Sequence, residues 1–102
     1  MREVFERRRD LMLARIEEIP GLTVVKPGGA FYVFVNTSRF YGEHGIENST
    51  DFAKYLLERH HLACVPGGPF GSEDHVRLSF ATSEDAIRKG LERLRKACEE
   101  LA

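Results

Sequence analysis

The sequence predicts an α+β sandwich in the order α-β-β-α-β-β-α, in which a small, mostly antiparallel sheet carries helices on one face. Three observations predict it. Amphipathic segments with helical spacing lie near both ends and in the middle of the chain, short β-branched and aromatic runs lie between them, and Gly/Pro segments separate these runs. A length of 102 residues fits one domain, residues 1–102.

The first part of the chain predicts a helix and a hairpin. Apolar residues recur at helical intervals among charges over Glu3–Ile19, and Pro20-Gly21 ends this pattern. Two runs rich in β-branched and aromatic residues follow, Leu22–Lys26 and Ala30–Val35, separated by Pro27-Gly28-Gly29. They read as adjacent strands joined by a tight turn.

The middle of the chain predicts a loop, a helix and a short strand. Residues 36–48 hold two glycines and no sustained period, which is typical of a loop. Ser49 or Thr50 is expected to cap a helix from Asp51 to about His60. The third strand is expected over His61–Val65.

The fourth strand is the clearest element of the pattern. It follows Pro66-Gly67-Gly68-Pro69, whose four residues resist regular structure and therefore predict a shaped loop. Val76–Ala81 alternates cleanly, so that Val76, Leu78 and Phe80 share one face and Arg77, Ser79 and Ala81 the other.

A final amphipathic helix is predicted after Thr82, which is a favourable N-cap. Its buried stripe is expected to hold Ile87, Leu91, Leu94, Cys98 and Leu101. Gly90 lies inside this helix, where glycine costs roughly 1 kcal/mol relative to alanine, so we expect close packing at that position.

Composition excludes several functions. Fifteen Lys and Arg residues against sixteen Asp and Glu leave a net charge of -1, which disfavours a polybasic nucleic-acid or membrane-surface binder. The longest apolar run is far shorter than the roughly 20 residues of a membrane-spanning helix, and the N-terminus does not resemble a secretory signal, so a cytoplasmic location is expected. The four histidines lack metal-ligand spacing, and no metal site is predicted. Cys64 and Cys98 are expected to be buried thiols.

The second predicted strand raises a question about its cover. Ala30–Val35 is apolar on both faces, whereas a sheet with helices on one side and water on the other alternates. Tyr32 and Phe34 therefore need a cover besides the helices. A loop of this chain, another domain or another subunit would each supply one.

Arg77 is the residue best suited to chemistry. It is held mid-strand on the face opposite the core stripe, directly after the glycine-rich loop. Its planar guanidinium suits bidentate binding of a carboxylate. The alternative is a surface arginine paired with an acidic residue of the chain.

Three segments together resemble the C-terminal small domain of fold-type-I, pyridoxal-phosphate-dependent aminotransferases of classes I and II, most closely the prokaryotic aspartate aminotransferase group. They are KPGGAFYVF at 26–34, ACVPGGPFG at 63–71 and VRLSFATS at 76–83. The resemblance covers nearly the whole chain and keeps the family's motif order. It implies that Arg77 binds the α-carboxylate of the substrate, with Gly29 and Phe70 near it, and that this domain moves against a large domain to close over substrate.

The resemblance implies that this chain holds only part of the active site and lacks the residues that bind the cofactor. The enzymes it points to pass an amino group between an amino acid and a 2-oxo acid through pyridoxal 5'-phosphate, which needs a Schiff-base lysine. Lys26, Lys54, Lys89 and Lys96 do not lie in a segment like the family's, so no catalytic residue and no bound cofactor are expected on this chain. We expect it to be inactive alone, its partner being the large domain of a homodimeric parent enzyme.

A second function remains open at this point. A stand-alone α+β ligand-binding or regulatory module would also use Arg77, to hold a carboxylate effector, and its apolar sheet face to form oligomers. The length of the natural gene separates the two functions. A much longer reading frame favours the aminotransferase, and one that starts at Met1 favours the module.

Overall fold

A computed structural model describes residues 2–25, 32–42, 44–80 and 82–101. It confirms the predicted class and element order. The elements are α1 (Arg2–Glu17), β1 (Thr23–Val25), β2 (Tyr32–Asn36), α2 (Ser49–His60), β3 (Val65–Pro66), β4 (His75–Ser79) and α3 (Glu84–Leu101). The predicted turn Pro27-Gly28-Gly29, and the beginning of the second predicted strand, lie outside the described residues.

The sheet has four strands in the order β1-β2-β4-β3, and every neighbouring pair is antiparallel. β2 and β4 form its centre, with Val33 opposite Leu78 and Val35 opposite Val76. All four of these side chains are buried, with at most 5% of their surface exposed. Because side chains alternate along a strand, their neighbours point to the other face.

The helices cover the face that carries these valines and leucine. Ile16 of α1, Phe52 and Leu56 of α2 and Leu94 of α3 are fully buried in the same cluster. The predicted stripe of α3 is confirmed in full, since Ile87, Leu91, Leu94, Cys98 and Leu101 are all buried. No described helix is long and apolar enough to cross a membrane.

The third strand departs from the prediction. It comprises Val65–Pro66 and not His61–Val65. His61 adopts the left-handed conformation (φ 54°) that ends α2, and its N–H donates to the carbonyl of Leu56. An αL residue cannot begin a strand, so the chain crosses residues 62–64 before pairing starts.

At neither helix is a predicted cap the residue that caps it. Asn48 caps α2, because its side-chain oxygen accepts from the N–H of Asp51 at 2.8 Å, whereas Ser49 lies inside the helix. At α3, the Ser83 hydroxyl accepts from the N–H of Ala86 at 3.1 Å, in place of the predicted Thr82. Each cap satisfies an N–H group that the first helical turn leaves without a partner.

Two glycines tolerate a methyl group very differently. A Cβ on Gly90 would lie 3.3 Å from Cδ1 of Leu62, the end of a flexible side chain, so the expected close packing at Gly90 is confirmed. A Cβ on Gly67 would lie 2.3 Å from the carbonyl oxygen of Ser72 and 2.5 Å from that of His75. These are backbone atoms that cannot move away without breaking the loop.

We therefore predict opposite effects of alanine at the two positions. Gly90→Ala should raise the free energy of unfolding by about 0.5–1 kcal/mol, through the higher helix propensity of alanine. Gly67→Ala should lower it by about 1–3 kcal/mol, through overpacking. Urea unfolding of both variants against the parent chain measures this, and equal effects would contradict the packing described for Gly67.

Candidate functional site

Arg77 lies at the middle of β4, flanked by strands on both sides. Its direct neighbours are Phe34 on β2 and Val65 on β3. Because Val76 and Leu78 point into the core, Arg77 points to the opposite face, as the sequence predicts. A guanidinium anchored on an inner strand is held on a rigid element.

The Arg77 guanidinium stacks on the ring of Tyr32. Its Cζ lies 4.5 Å from the ring centroid. Tyr32 pairs with Ser79 and is thus the diagonal neighbour of Arg77 across the β2–β4 ladder. The ring attracts the cation and fixes the plane of its fork. No sequence pattern indicates this pair, which follows only from the strand register.

The rest of this face is aromatic and apolar. Phe34 and the His75 ring meet edge to face, with centroids 6.5 Å apart, and Val65 is 37% exposed. Tyr32 and Phe34 are half-buried. The described residues thus cover this face only in part, which leaves open the sequence-based expectation of a cover from another domain or subunit.

The glycine-rich segment is the loop that joins β3 to β4. The N–H of Gly67 donates to the carbonyl of His75 at 2.8 Å, and the N–H of Ser72 donates to the carbonyl of Gly67 at 2.9 Å. The expectation that Pro66–Pro69 lacks regular structure is wrong in detail, since Pro66 pairs in β3 and Gly68–Phe70 forms one 3₁₀ turn. Gly29 and the Phe70 side chain, both predicted near substrate, lie outside what the structure describes.

Polar side chains hold this loop through contacts that the sequence does not predict. The buried Ser49 hydroxyl bonds both Gly68 and Glu73, and the Tyr41 hydroxyl donates to the carbonyl of Glu73 at 2.9 Å. Burial raises the pKa of Tyr41, which therefore keeps its proton as a donor. Ser49 and Glu73 lie 24 positions apart in the chain, and no sequence pattern predicts that their side chains meet.

Other titratable side chains of the described part make contacts between helices. Among the described residues, no group of three or more His, Cys, Asp or Glu side chains could hold a metal ion. His60 instead contacts the Tyr55 hydroxyl at 3.2 Å, and that hydroxyl donates to Glu100 at 2.7 Å, which joins α2 to α3. The prediction of buried thiols is confirmed for Cys98 but is wrong in part for Cys64, which is half-buried.

The described lysines do not fit the pyridoxal phosphate that the resemblance implies. A Schiff-base lysine needs a desolvated position that lowers its pKa. Lys54, Lys89 and Lys96 are all exposed on the surfaces of α2 and α3, and Lys26 lies outside the described residues. Arg77 is therefore the candidate carboxylate site of the described residues, and none of the three described lysines has the position that a Schiff-base lysine needs.

Comparisons with known proteins point in one direction. A family model described as "Aminotransferase class I and II" matches residues 1–94. The aspartate aminotransferase of Bacillus subtilis is 44% identical over 99 residues, which cover 97% of this chain and 25% of that protein. A probable aspartate/prephenate aminotransferase of Aquifex aeolicus is 43% identical over 101 residues, 99% of this chain and 25% of that protein.

Solved structures agree with the sequence relatives. The crystal structure of an aspartate aminotransferase from Rhizobium meliloti matches with a TM-score of 0.89 and 43% identity, over 95% of this chain and 26% of that chain. An aromatic aminotransferase from Pyrococcus horikoshii matches with a TM-score of 0.85 and 36% identity, over 100% of this chain and 27% of that one. The chain spans about a quarter of the length of the curated relatives it matches.

We predict that both cysteines react slowly in the folded chain. Burial raises the pKa of Cys64 and of Cys98 to about 12. At pH 8 only about one thiol in ten thousand is then the reactive thiolate. A disulfide reagent such as Ellman's should therefore modify the native chain at least about 100-fold more slowly than the urea-unfolded chain.

As the matched control, a Cys98→Ser variant keeps Cys64 as its one cysteine. The rate at which the reagent modifies Cys64 should rise about tenfold per pH unit from pH 7 to pH 9. Fast, pH-independent modification of that variant would contradict the raised pKa.

Proposed function

The chain belongs to the class I and II aminotransferases, and from that premise we propose that it is the C-terminal small domain of a pyridoxal-phosphate-dependent aminotransferase. The parent enzyme would transfer an amino group between an amino acid and a 2-oxo acid. The names of the relatives make aspartate the first amino donor to try. The observation that carries the proposal is Arg77, stacked on Tyr32 on a partly accessible sheet face.

The role proposed for Arg77 is to bind the α-carboxylate of the substrate. Its rigid strand and the Tyr32 ring limit the orientations of its fork, so little rotational freedom remains to be lost on binding. Two parallel N–H···O bonds would then set the direction of the bound amino acid. Arg77 would therefore be a substrate-binding residue, with Gly29 and Phe70 bordering the same site.

Pyridoxal phosphate would act as the amino-group carrier of the parent enzyme, bound by its large domain. The exposure of Lys54, Lys89 and Lys96 supports the proposal that the cofactor is bound by the large domain and not by this chain. The half-covered face of Tyr32, Phe34 and Val65 supports a domain that packs there and excludes water. We propose a homodimer for the parent and no activity for this chain by itself. The alternative of a regulatory module rests on Arg77 alone, which both functions use.

The first test replaces Arg77 in the full-length protein. Arg77→Ala should lower kcat/KM for the amino donor by well over tenfold, since a hydrogen bond to a charged group contributes about 1.5–3 kcal/mol. Arg77→Lys should lose most of the same activity, because a lysine keeps the charge but not the fork.

Steady-state kinetics with aspartate, glutamate and phenylalanine as donors measure both variants. Arg39→Ala, on an exposed surface position, is the matched control. An Arg77→Ala enzyme with unchanged kinetics would sink the assignment.

The second test concerns the 102-residue chain alone. Titration with pyridoxal phosphate should give no stoichiometric visible absorption band, because exposed lysines form only weak, reversible Schiff bases. Gel filtration in buffer that contains millimolar free lysine should leave no visible band on the protein fraction, because the free amine takes the aldehyde from exposed lysines. A one-to-one band that survives this competition would show that the chain has a cofactor site of its own.

A further inference from the structure

Ser49 lies where α2 meets the β3–β4 loop, and it is completely buried. Its hydroxyl accepts a hydrogen bond from the N–H of Gly68 at 2.9 Å and donates to Oε1 of Glu73 at 2.8 Å. One side chain thus joins a helix to both arms of the loop. A buried hydroxyl with both partners satisfied is expensive to disturb.

The helix itself does not need this hydroxyl. Asn48 already caps α2 through the N–H of Asp51. A serine at the first helical position would ordinarily leave its hydroxyl to solvent or to the helix end. Here both of its bonds go to the loop, so its role concerns the loop and not the helix.

Glu73 is fitted to the loop with little free space. A Cβ on Gly68 would lie 2.2 Å from Oε1 of Glu73, so the carboxylate rests directly against the glycine backbone. The carbonyl of Glu73 also accepts from the Tyr41 hydroxyl, which lies 2.7 Å from Oγ1 of Thr37. Since Tyr41 donates its proton to Glu73, Thr37 is the donor in the second bond.

The loop fixes what lies beside Arg77. It connects β3 to β4, and the N–H of Gly67 extends their ladder to the carbonyl of His75. Val65 flanks Arg77 in that ladder. A shift of the loop would therefore move the β3 side of the surface on which a carboxylate would bind.

We propose that Ser49 and Glu73 are positioning residues of the Arg77 site. Their hydrogen bond holds the loop 67–74 against α2, and so fixes the edge of the site next to Val65. The inference rests on the proposed function, since it assumes that Arg77 binds a carboxylate. Neither residue touches the substrate in this proposal; each acts through the loop.

Kinetics of the full-length protein test the proposal, with the best of the three donors above as probe. Ser49→Ala and Glu73→Ala should each raise KM for the donor about five- to tenfold and change kcat less than about twofold. Glu73→Gln keeps an oxygen that accepts from Ser49 and should restore KM to within about twofold of the parent value. The double variant should match either single one, since the two residues act as a unit.

Tyr55→Phe is the matched control. It removes the hydroxyl bond to Glu100 near the other end of α2 and leaves the loop untouched. If the substitutions only reduced the fraction of folded enzyme, the apparent kcat of all variants would fall and KM would stay unchanged. That result would overturn the positioning role.

A second readout follows the loop directly. Amide hydrogen exchange in the segment 66–75 should accelerate in Ser49→Ala and in Glu73→Ala but not in Tyr55→Phe. Glu73 is exposed, so its alanine variant is expected to fold even if Ser49→Ala does not.

Arg77→Lys in the same assay distinguishes a failure of the positioning role from a failure of the proposed function. If it raises KM while the Ser49 and Glu73 variants do not, the positioning role is wrong and the proposed function stands. If Arg77→Lys leaves both KM and kcat/KM unchanged, the carboxylate role is wrong and the positioning role is wrong with it.

Discussion

The antiparallel register of β2 and β4 is the constraint on which the rest of the molecule depends. Val33 opposite Leu78 and Val35 opposite Val76 place four apolar side chains under the helices. Because side chains alternate, the same register places Arg77 on the other face. A slip of one residue would bury the guanidinium in the core and expose the valines, at a cost of many kcal/mol. Core packing therefore enforces the direction of Arg77.

This coupling explains why the sequence could predict the face of Arg77 and the class of the fold. The alternation of Val76, Leu78 and Phe80 depends on side-chain polarity, which the sequence states directly. The stripe of α3 is visible for the same reason. The match of residues 26–34, 63–71 and 76–83 to known motifs added the family, which the comparisons confirm.

The misplaced elements depend on backbone geometry instead. Whether Asn48 or Ser49 caps α2 is decided by which residue has extended dihedral angles, and both residue types are good caps. His61 ends α2 in an αL conformation, which is uncommon for a residue other than glycine and which no sequence pattern indicates here. The stacking of Tyr32 on Arg77 likewise requires the strand register, because the two residues lie 45 positions apart in the chain. The local pattern of residue types predicts neither these dihedral angles nor the strand register.

The partly accessible face has an energetic consequence for the proposed site. An arginine–carboxylate pair in contact with water gains little, because both ions lose hydration and salt screens them. The same pair becomes strong when its surroundings are dry and the guanidinium is already oriented. Tyr32 supplies the orientation, but the described residues leave the face only partly covered. Binding of a carboxylate at Arg77 would therefore be tight only when another part of the enzyme covers the face, and by linkage a bound substrate would favour that covered state.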